Sequence, residues 1–300
     1  MRLFDHLRRR PPPLPPRRDG GKPFNALISF PRSGTDFFCE ALSTDPRIRY
    51  FREYFNPICN PKRDAELRAQ FGDERLSHYL SIMTEIGDAD FARVIEATWL
   101  KDGHNTTKEN FSATKFAHFA QRFNVIVQAR KVYHTFPTSR PDFIVPILNG
   151  FMLAGPYRTL SQARELNELR RFIGADVTVS GVHHAGVLAH IVQHYILLHE
   201  AERFGAPVLA FEDLALKTGD ALAGALGCLS LFDADPALVA RALDAGRKAR
   251  KTNLAERRAR FRRECRIEWC TRPLAFIREL SPDIAAALGA YVFDEGEAET

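Results

Sequence analysis

The sequence predicts a single α/β domain with a mainly parallel central sheet flanked by helices and a P-loop-like strand-loop-helix at its N-terminus. Short apolar runs, typical of strands buried on both faces, alternate with longer stretches of helical periodicity. The first run, residues 25–30, leads through Pro-Arg-Ser-Gly-Thr into an apolar stretch with helical spacing. Neither a repeat nor a linker divides the sequence after residue 24, so we expect one domain over residues 23–300.

Residues 1–22 differ in composition from the rest of the chain. They contain RRRPPPLPPRR, in which proline fixes φ and removes backbone donors, so we expect a disordered basic tail. This tail carries seven of the 42 Lys and Arg residues and two of the 37 Asp and Glu residues. The remaining chain is therefore formally neutral, and the net charge of +5 gives no indication of a nucleic-acid partner. The tail is either a plain flexible segment or a docking arm.

Strands and helices follow one another along the chain. Strands are predicted at residues 25–30, 123–130 and 207–214, with a weaker candidate at 111–117. Helices are predicted over residues 62–98 and 186–205, the second ending at a glycine. This second helix contains His190 and His194, but it lacks the glutamate of an HExxH zinc site. We expect these histidines to pack against the sheet, and no metal site is predicted.

The chain has no apolar run of about eighteen residues, and its N-terminus has arginine and proline where a secretion signal needs an apolar stretch. We therefore expect a cytoplasmic protein without stable membrane insertion. Five cysteines at scattered positions are typical of reduced thiols rather than of a disulfide framework. The oligomeric state stays open, a homo-oligomer included.

The PRSGT turn has the parts of an anion-binding loop. In a parallel sheet, ligands bind where a strand leads into a helix N-terminus, because unpaired N–H groups and the helix dipole favour an anion there. Gly34 allows the backbone to approach a ligand, Ser33 and Thr35 supply hydroxyl donors, and Arg32 adds a permanent charge. The loop is not a Walker A motif, since Ser29 stands where that motif has its first glycine. An ordinary strand-to-helix turn is the alternative.

A second group of anion-binding side chains follows the strand at residues 123–130. An arginine leaving a strand and a hydroxyl about two helical turns later can converge on one anion. Arg130 and Thr138 have this spacing, and Ser139 is the alternative hydroxyl. A surface arginine before a Ser/Thr-rich loop would give the same pattern.

These segments together resemble the sulfotransferases that use 3′-phosphoadenosine 5′-phosphosulfate (PAPS). PRSGTDFF is similar to the family's 5′-phosphosulfate loop, which reads PKSGTT or PRSGST, with Asp36 in place of the usual second Ser or Thr. The resemblance implies that Arg32 neutralises the leaving phosphate and that Arg130 with Thr138 binds the 3′-phosphate. RKARKTN, residues 247–253, resembles the basic segment that closes over PAPS, with Arg247 and Lys248 as candidates. PVLAFEDL resembles the family's late strand, commonly ending in Tyr-Glu-Asp-Leu.

The general base has two candidates. Glu53 lies among aromatic residues in YFREYFNP, and a similar glutamate is the base in bacterial sulfotransferases of the trehalose-sulfating type. A surface glutamate paired with Arg49 or Arg52 is the alternative. His118 is the second candidate, since many sulfotransferases take the base from a Lys-x-His segment on the next strand. Here Lys115 and His118 have one residue too many between them for a shared strand face.

The expected function is therefore sulfuryl transfer from PAPS, without a metal, to a hydroxyl of a carbohydrate, lipid or other small-molecule acceptor. Two alternatives stay open. One is a non-catalytic nucleotide-binding or scaffold protein of the same fold. The other is an ATP-dependent P-loop phosphotransferase, which would need the Walker lysine that this loop lacks.

Overall fold

The computed structural model describes residues 22, 24–53, 69, 104–110, 113–135, 141–153, 157–158, 160–249 and 254–293. The predicted tail lies outside these ranges except for Lys22. The predicted helix over residues 62–98 also lies outside them, except for Ala69, which is helical. Across the described part of the chain, no helix combines the length and apolar character needed to cross a membrane.

A five-stranded parallel sheet forms the centre of the protein, in the order β2-β3-β1-β4-β5. The strands are β1 (Phe24–Ser29), β2 (Tyr50–Arg52), β3 (Thr106–Asn110), β4 (Phe123–Ala129) and β5 (Val208–Ala210). Helices flank the sheet, which confirms the predicted α/β class. Because all strands are parallel, their carboxyl ends meet at one edge, and the loops that carry Arg32 and Arg130 leave from it.

Twelve α-helices, numbered here over the described residues, complete the fold. They are α1 (Thr35–Leu42), α2 (Phe116–Arg122), α3 (Val132–Thr135), α4 (Pro141–Leu153), α5 (Ala163–Ala175), α6 (Val182–Phe204), α7 (Phe211–Leu216), α8 (Gly219–Ala225), α9 (Pro236–Ala249), α10 (Leu254–Glu264), α11 (Glu268–Leu280) and α12 (Pro282–Tyr291). Single 3-10 turns occupy Ala113–Lys115 and Gly227–Phe232.

Side-chain alternation along β1 divides the core between the two faces of the sheet. Ala26, Ile28 and Phe30 join the larger cluster, which includes α6, α11 and α12. Leu27 points to the other face and packs with α1 and α9. The face that carries α1 is therefore the face on which the loop after β1 lies.

The predicted strand at residues 111–117 is wrong. The strand that pairs with β1 on the side away from β4 is β3. Its sequence, Thr-Thr-Lys-Glu-Asn, contains no apolar residue and so gives no hydrophobic signal. Its burial is compensated by polar contacts, such as that of Asn25 Nδ2 with Thr106 Oγ1 at 3.2 Å. Phe116 and Phe119 are instead buried by α2, since a spacing of three residues places them on one helix face.

The predicted strand at residues 207–214 is shorter than expected, because β5 ends at Ala210 and α7 begins at Phe211. Glu212 and Asp213 lie in the first turn of α7, where acidic side chains are favoured by the helix dipole. The long helix predicted over residues 186–205 is confirmed as α6, and Gly205 ends it in the left-handed region at φ 62°.

His190 and His194 of α6 lie in the core behind β4. Their rings stack with centroids 4.0 Å apart, and Phe30 contacts both. His190 Nε2 donates to the carbonyl of Arg130 at 2.9 Å, since a carbonyl only accepts. Burial lowers the pKa of both imidazoles, that of His194 to about 4, so both are neutral at pH 7. Within the described ranges, no group of three or more His, Cys, Asp or Glu is arranged to hold a metal ion.

Candidate anion-binding site

In the loop between β1 and α1, the residues on either side of Ser33 both have left-handed backbone conformations. Arg32 has φ 68° and Gly34 has φ 80°, and the N–H of Ser33 donates to the carbonyl of Phe30 at 3.3 Å. Gly34 caps α1, so the first N–H groups of that helix have no intrahelical acceptor. Ser33 is fully buried, and no described residue forms a hydrogen bond with its Oγ. The Arg32 side chain is exposed. These features are typical of an anion-binding loop.

Phe211 holds the loop close to β4. A Cβ atom added to Gly34 would lie 2.3 Å from Phe211 Cε2, so a side chain at residue 34 has no room. The guanidinium of Arg130 lies over the same ring, 3.9 Å from its centroid. The aromatic residue at the start of α7 therefore fixes the relative positions of the loop and the arginine.

Arg130 follows β4 and contacts the loop directly. Its Nη1 donates to the carbonyl of Arg32, and its Nε is buried without a hydrogen-bond partner among the described residues. The residue is 4% exposed. Burial and, to a smaller extent, repulsion from Arg257 lower the pKa of Arg130 to about 9, and the opposing attraction of Glu212 is the smallest of these effects. Its positive charge is thus buried with little compensation.

Arg257 of α10 is a member of this cluster that the sequence did not indicate. Its Nη1 donates to the carbonyl of His134 at 2.9 Å. Burial lowers its pKa, and Arg32 lowers it further by repulsion, which places these two cations near each other. The sequence prediction favoured RKARKTN because that segment resembles the basic segment that closes over PAPS. A usable signal was present: Phe261 lies one helical turn after Arg257, so burial of Phe261 turns Arg257 inward.

Of the other residues predicted to bind the cofactor, the structure describes the side chain of Arg247. Arg247 of α9 is paired with Asp244, with Nη2 to Oδ1 at 3.6 Å, and its Nε is buried without a hydrogen-bond partner in the described chain. Thr138, Ser139 and the Lys248 side chain lie outside the described residues.

A compact acid-base cluster lies on the β3 side of the loop. Lys108 is buried in the middle of β3, and its Nζ lies 2.8 Å from Asp36 Oδ1 and 2.9 Å from Glu53 Oε1. Burial alone would lower the pKa of Lys108, but Glu53 and Asp36 together outweigh it and raise the pKa above its ordinary value. Lys108 is therefore charged at neutral pH, and it bridges two carboxylates.

Hydrogen bonds connect this cluster to the end of β1. Asn110 Nδ2 donates to Glu53 Oε1 at 2.7 Å, and Ser29 Oγ donates to Asn110 Oδ1 at 2.8 Å. Glu53 itself has φ 47°, and its N–H donates to the carbonyl of Lys108 at 2.8 Å. On the other side of Ser29, Gln128 Nε2 donates to the carbonyl of Ser33 at 2.7 Å. Polar side chains at the carboxyl ends of β1, β3 and β4 thus form hydrogen bonds that hold the loop and Glu53 in place.

His118 does not lie on a strand. It belongs to α2, and Lys115 belongs to the 3-10 helix before it, so neither residue lies on a strand as the family's Lys-x-His segment does. The reason is the misplacement of the strand itself. On β3, Lys108 and Asn110 are two residues apart and share the face that carries α1. α2 packs into the core on the opposite face of the sheet. The structure therefore places Lys108, rather than His118, beside Glu53.

Comparisons with known proteins gave no relative. A scan against family models, a search of curated proteins and a search of solved structures each found no match. The residues of the site are therefore the basis for inferring the function. One side of the loop offers arginines whose charges are poorly compensated, which suits a phosphorylated ligand. The other side offers a buried lysine with two carboxylates, which suits proton transfer and charge stabilisation.

Proposed function

We propose that this protein is a PAPS-dependent sulfotransferase that transfers a sulfuryl group to a hydroxyl of a carbohydrate, lipid or other small-molecule acceptor. One observation carries the proposal. The PRSGT loop and Arg130, which are about a hundred residues apart in the sequence, meet in space with two donors, Ser33 Oγ and Arg130 Nε, lacking partners in the described chain. The proposal retains the cytoplasmic location expected from the sequence.

The cluster fits a ligand with two separate phosphate groups. Arg130 and Arg257 are buried or half-buried cations that repel each other, and Arg32 repels Arg257. Such an arrangement costs free energy unless an anion compensates it. The helix N-terminus with Ser33 suits the 5′-phosphosulfate, whereas Arg130 and Arg257 suit the 3′-phosphate. This division agrees with the roles that the family resemblance implies for Arg32 and Arg130.

PAPS, when bound, supplies the sulfuryl group and a phosphate leaving group. The protein's residues then have three tasks. The loop N–H groups and Ser33 orient the phosphosulfate, and Arg32, whose side chain is exposed at the loop, stabilises negative charge on the departing phosphate. The Lys108 cluster receives the proton of the acceptor hydroxyl, because its carboxylates adjoin the loop. This scheme requires no metal ion.

Ligand-induced stabilisation tests the proposal. Adenosine 3′,5′-bisphosphate (PAP) should raise the melting temperature of the full chain, since a ligand at a hundredfold excess over its Kd adds about 2.7 kcal/mol. ATP with Mg²⁺ should have a much smaller effect. The variant Arg164→Ala should show the same stabilisation by PAP, because the Arg164 side chain is 86% exposed on α5 and pairs with Glu168 one helical turn away. A larger stabilisation by ATP and Mg²⁺ than by PAP would favour the phosphotransferase.

Transfer from ³⁵S-labelled PAPS to a panel of hydroxyl acceptors then tests catalysis. Label should appear in at least one carbohydrate, lipid or small phenolic acceptor. Stabilisation by PAP without transfer to any acceptor of a broad panel would instead support a non-catalytic nucleotide-binding protein.

A further inference from the structure

We infer that Asp36, and not Glu53, is the carboxylate that takes the proton of the acceptor hydroxyl, and that Glu53 is a positioning residue that holds Lys108. The inference rests on the proposed function and assigns a catalytic role to a residue at which this loop departs from the PAPS-binding pattern. It differs from the expectation from the sequence, in which Glu53 was the first candidate base.

Access distinguishes the two carboxylates. Both contact Lys108 Nζ, at 2.8 Å for Asp36 and 2.9 Å for Glu53. The Asp36 side chain is 46% exposed, whereas that of Glu53 is 8% exposed. A general base must come within hydrogen-bond distance of the proton that it removes. Asp36 is therefore the carboxylate that an incoming hydroxyl can reach.

The contacts of Glu53 hold its carboxylate against Lys108. Its Oε1 accepts from both Asn110 Nδ2 and Lys108 Nζ in a buried site. Its backbone is also held, since Glu53 adopts a left-handed conformation that is unusual for a residue with a Cβ atom. A group fixed on all these sides is suited to holding Lys108 in place.

Asp36 has the position that the reaction needs. It follows Thr35 in the first turn of α1, next to the anion-binding loop. It contacts Lys108 on β3 and Arg52 on β2, whose Nη2 lies 3.1 Å from Asp36 Oδ2, and Glu53 contacts the same Lys108 Nζ. Arg52 is 60% exposed, so its ion pair with Asp36 contributes little free energy.

The proton and electron balance of the step is simple. The acceptor O–H bond breaks, and its proton goes to a carboxylate oxygen of Asp36. The acceptor oxygen forms the new S–O bond while the bridging S–O bond breaks, and that electron pair leaves with the 5′-phosphate, beside Arg32. Lys108 keeps its proton and stabilises the negative charge that develops between the acceptor and Asp36.

The activity test uses ³⁵S-sulfate release from PAPS with water as the acceptor, measured over a range of pH. Asp36→Asn should reduce the rate by about 10²- to 10⁴-fold, the usual contribution of a general base, and should remove the fall in rate on the acidic side. Asp36→Glu should recover part of the rate. Glu53→Gln should reduce the rate by about tenfold or less and keep the acidic fall, because the base is still present.

A second test does not depend on turnover. Glu53→Gln should lower the melting temperature by several degrees, whereas Asp36→Asn should lower it by less, because Asp36 is partly solvated. In a Lys108→Met background, Glu53→Gln should instead recover part of the lost melting temperature, because it removes the buried carboxylate that Lys108→Met leaves without its cation. Asp36→Ser, the residue type usual in the family, is a second variant in case Asp36→Asn folds poorly.

PAP binding separates the two ways to fail. If PAP does not stabilise the unmodified protein, the proposed function is wrong. If PAP stabilises the protein and both variants, but Glu53→Gln and not Asp36→Asn loses the acidic fall, then the function stands and the inference is overturned. A greater loss of melting temperature in Asp36→Asn than in Glu53→Gln would also overturn the positioning role of Glu53.

Discussion

The two sides of the loop after β1 differ in how far the charge of a buried cation is compensated. On the β4 side, Arg130 is a buried cation whose pKa is lowered to about 9 by burial and by Arg257. On the β3 side, Lys108 is a buried cation whose pKa is raised, because two carboxylates outweigh the effect of burial. Among the described residues, the charges on the β3 side therefore compensate each other, whereas on the β4 side Glu212 offsets the charge of Arg130 only slightly. This difference is the reason for proposing ligand binding on the β4 side and proton transfer on the β3 side.

The largest effect is expected for Arg32→Ala, since Arg32 stands between the two sides with its side chain exposed. Transfer should fall by about 10³-fold, as for other arginines that stabilise a departing phosphate. The melting temperature should hardly change, since no buried contact of the Arg32 side chain is lost. Steady-state assay and thermal unfolding measure the two quantities. A large loss of stability would mean that Arg32 supports the fold of the loop.

Lys108→Met should cause the largest loss of stability, because it leaves the Glu53 carboxylate buried with one cation fewer. Removing one partner of a buried pair costs about 3 to 5 kcal/mol, and we expect about 3, since Asp36 is partly exposed. Denaturant unfolding measures the change in the free energy of unfolding. A loss below about 1 kcal/mol would show that the β3 side does not depend on charge compensation.

Arg130→Met should have the opposite pattern. Replacing a poorly compensated buried cation with an apolar side chain of similar length should leave the free energy of unfolding unchanged or raise it. PAP affinity should fall by about 2 to 3 kcal/mol, the contribution of charged hydrogen bonds, which is roughly a hundredfold in Kd. Calorimetric titration measures this loss, with Arg164→Ala as the unaffected control. If Arg130→Met unfolds as Lys108→Met does, the contrast between the two sides is refuted.

A smaller effect concerns the loss of folding stability at acidic pH, which we assign in part to His194 behind β4. The folded protein keeps His194 neutral down to about pH 4, whereas the unfolded chain binds a proton near the ordinary pKa of about 6.5. The unfolded state therefore holds more protons between these values, so stability should fall as the pH decreases from about 6.5 to about 4. His194→Leu should reduce this fall by about 1 to 2 kcal/mol at pH 5, measured by denaturant unfolding. An unchanged pH dependence would contradict the assignment.

The apolar strands and the main helix were predictable because their signals are local. β1 and β4 are near-continuous apolar runs, and α6 ends at a glycine, so each is visible within a short window of sequence. β3 was missed because its residues are polar and their burial depends on partners elsewhere in the chain. That single miss also moved the expected strand lysine from Lys108 to Lys115.

The candidate site was predictable in its loop and in Arg130, and less so in its neighbours. The types and spacing of Arg32, Ser33, Gly34 and Arg130 are written in the sequence, and they led to the resemblance. Arg257 was hidden because α10 contains many arginines, and only packing of Phe261 selects which one turns inward. The pairing of Asp36 with Lys108 was equally hidden, since these residues are 72 positions apart.

The sequence by itself determined the α/β class and the residue types of the candidate anion-binding loop, because strand burial, helix stops and loop residue types act over a few neighbouring positions. Only the tertiary structure decided which cations are compensated, since compensation depends on distances between residues on different strands and helices. Lys108 is a basic residue within a buried strand, and Arg130 is a basic residue directly after one. Their opposite pKa shifts arise from what the fold places within a few ångströms of each.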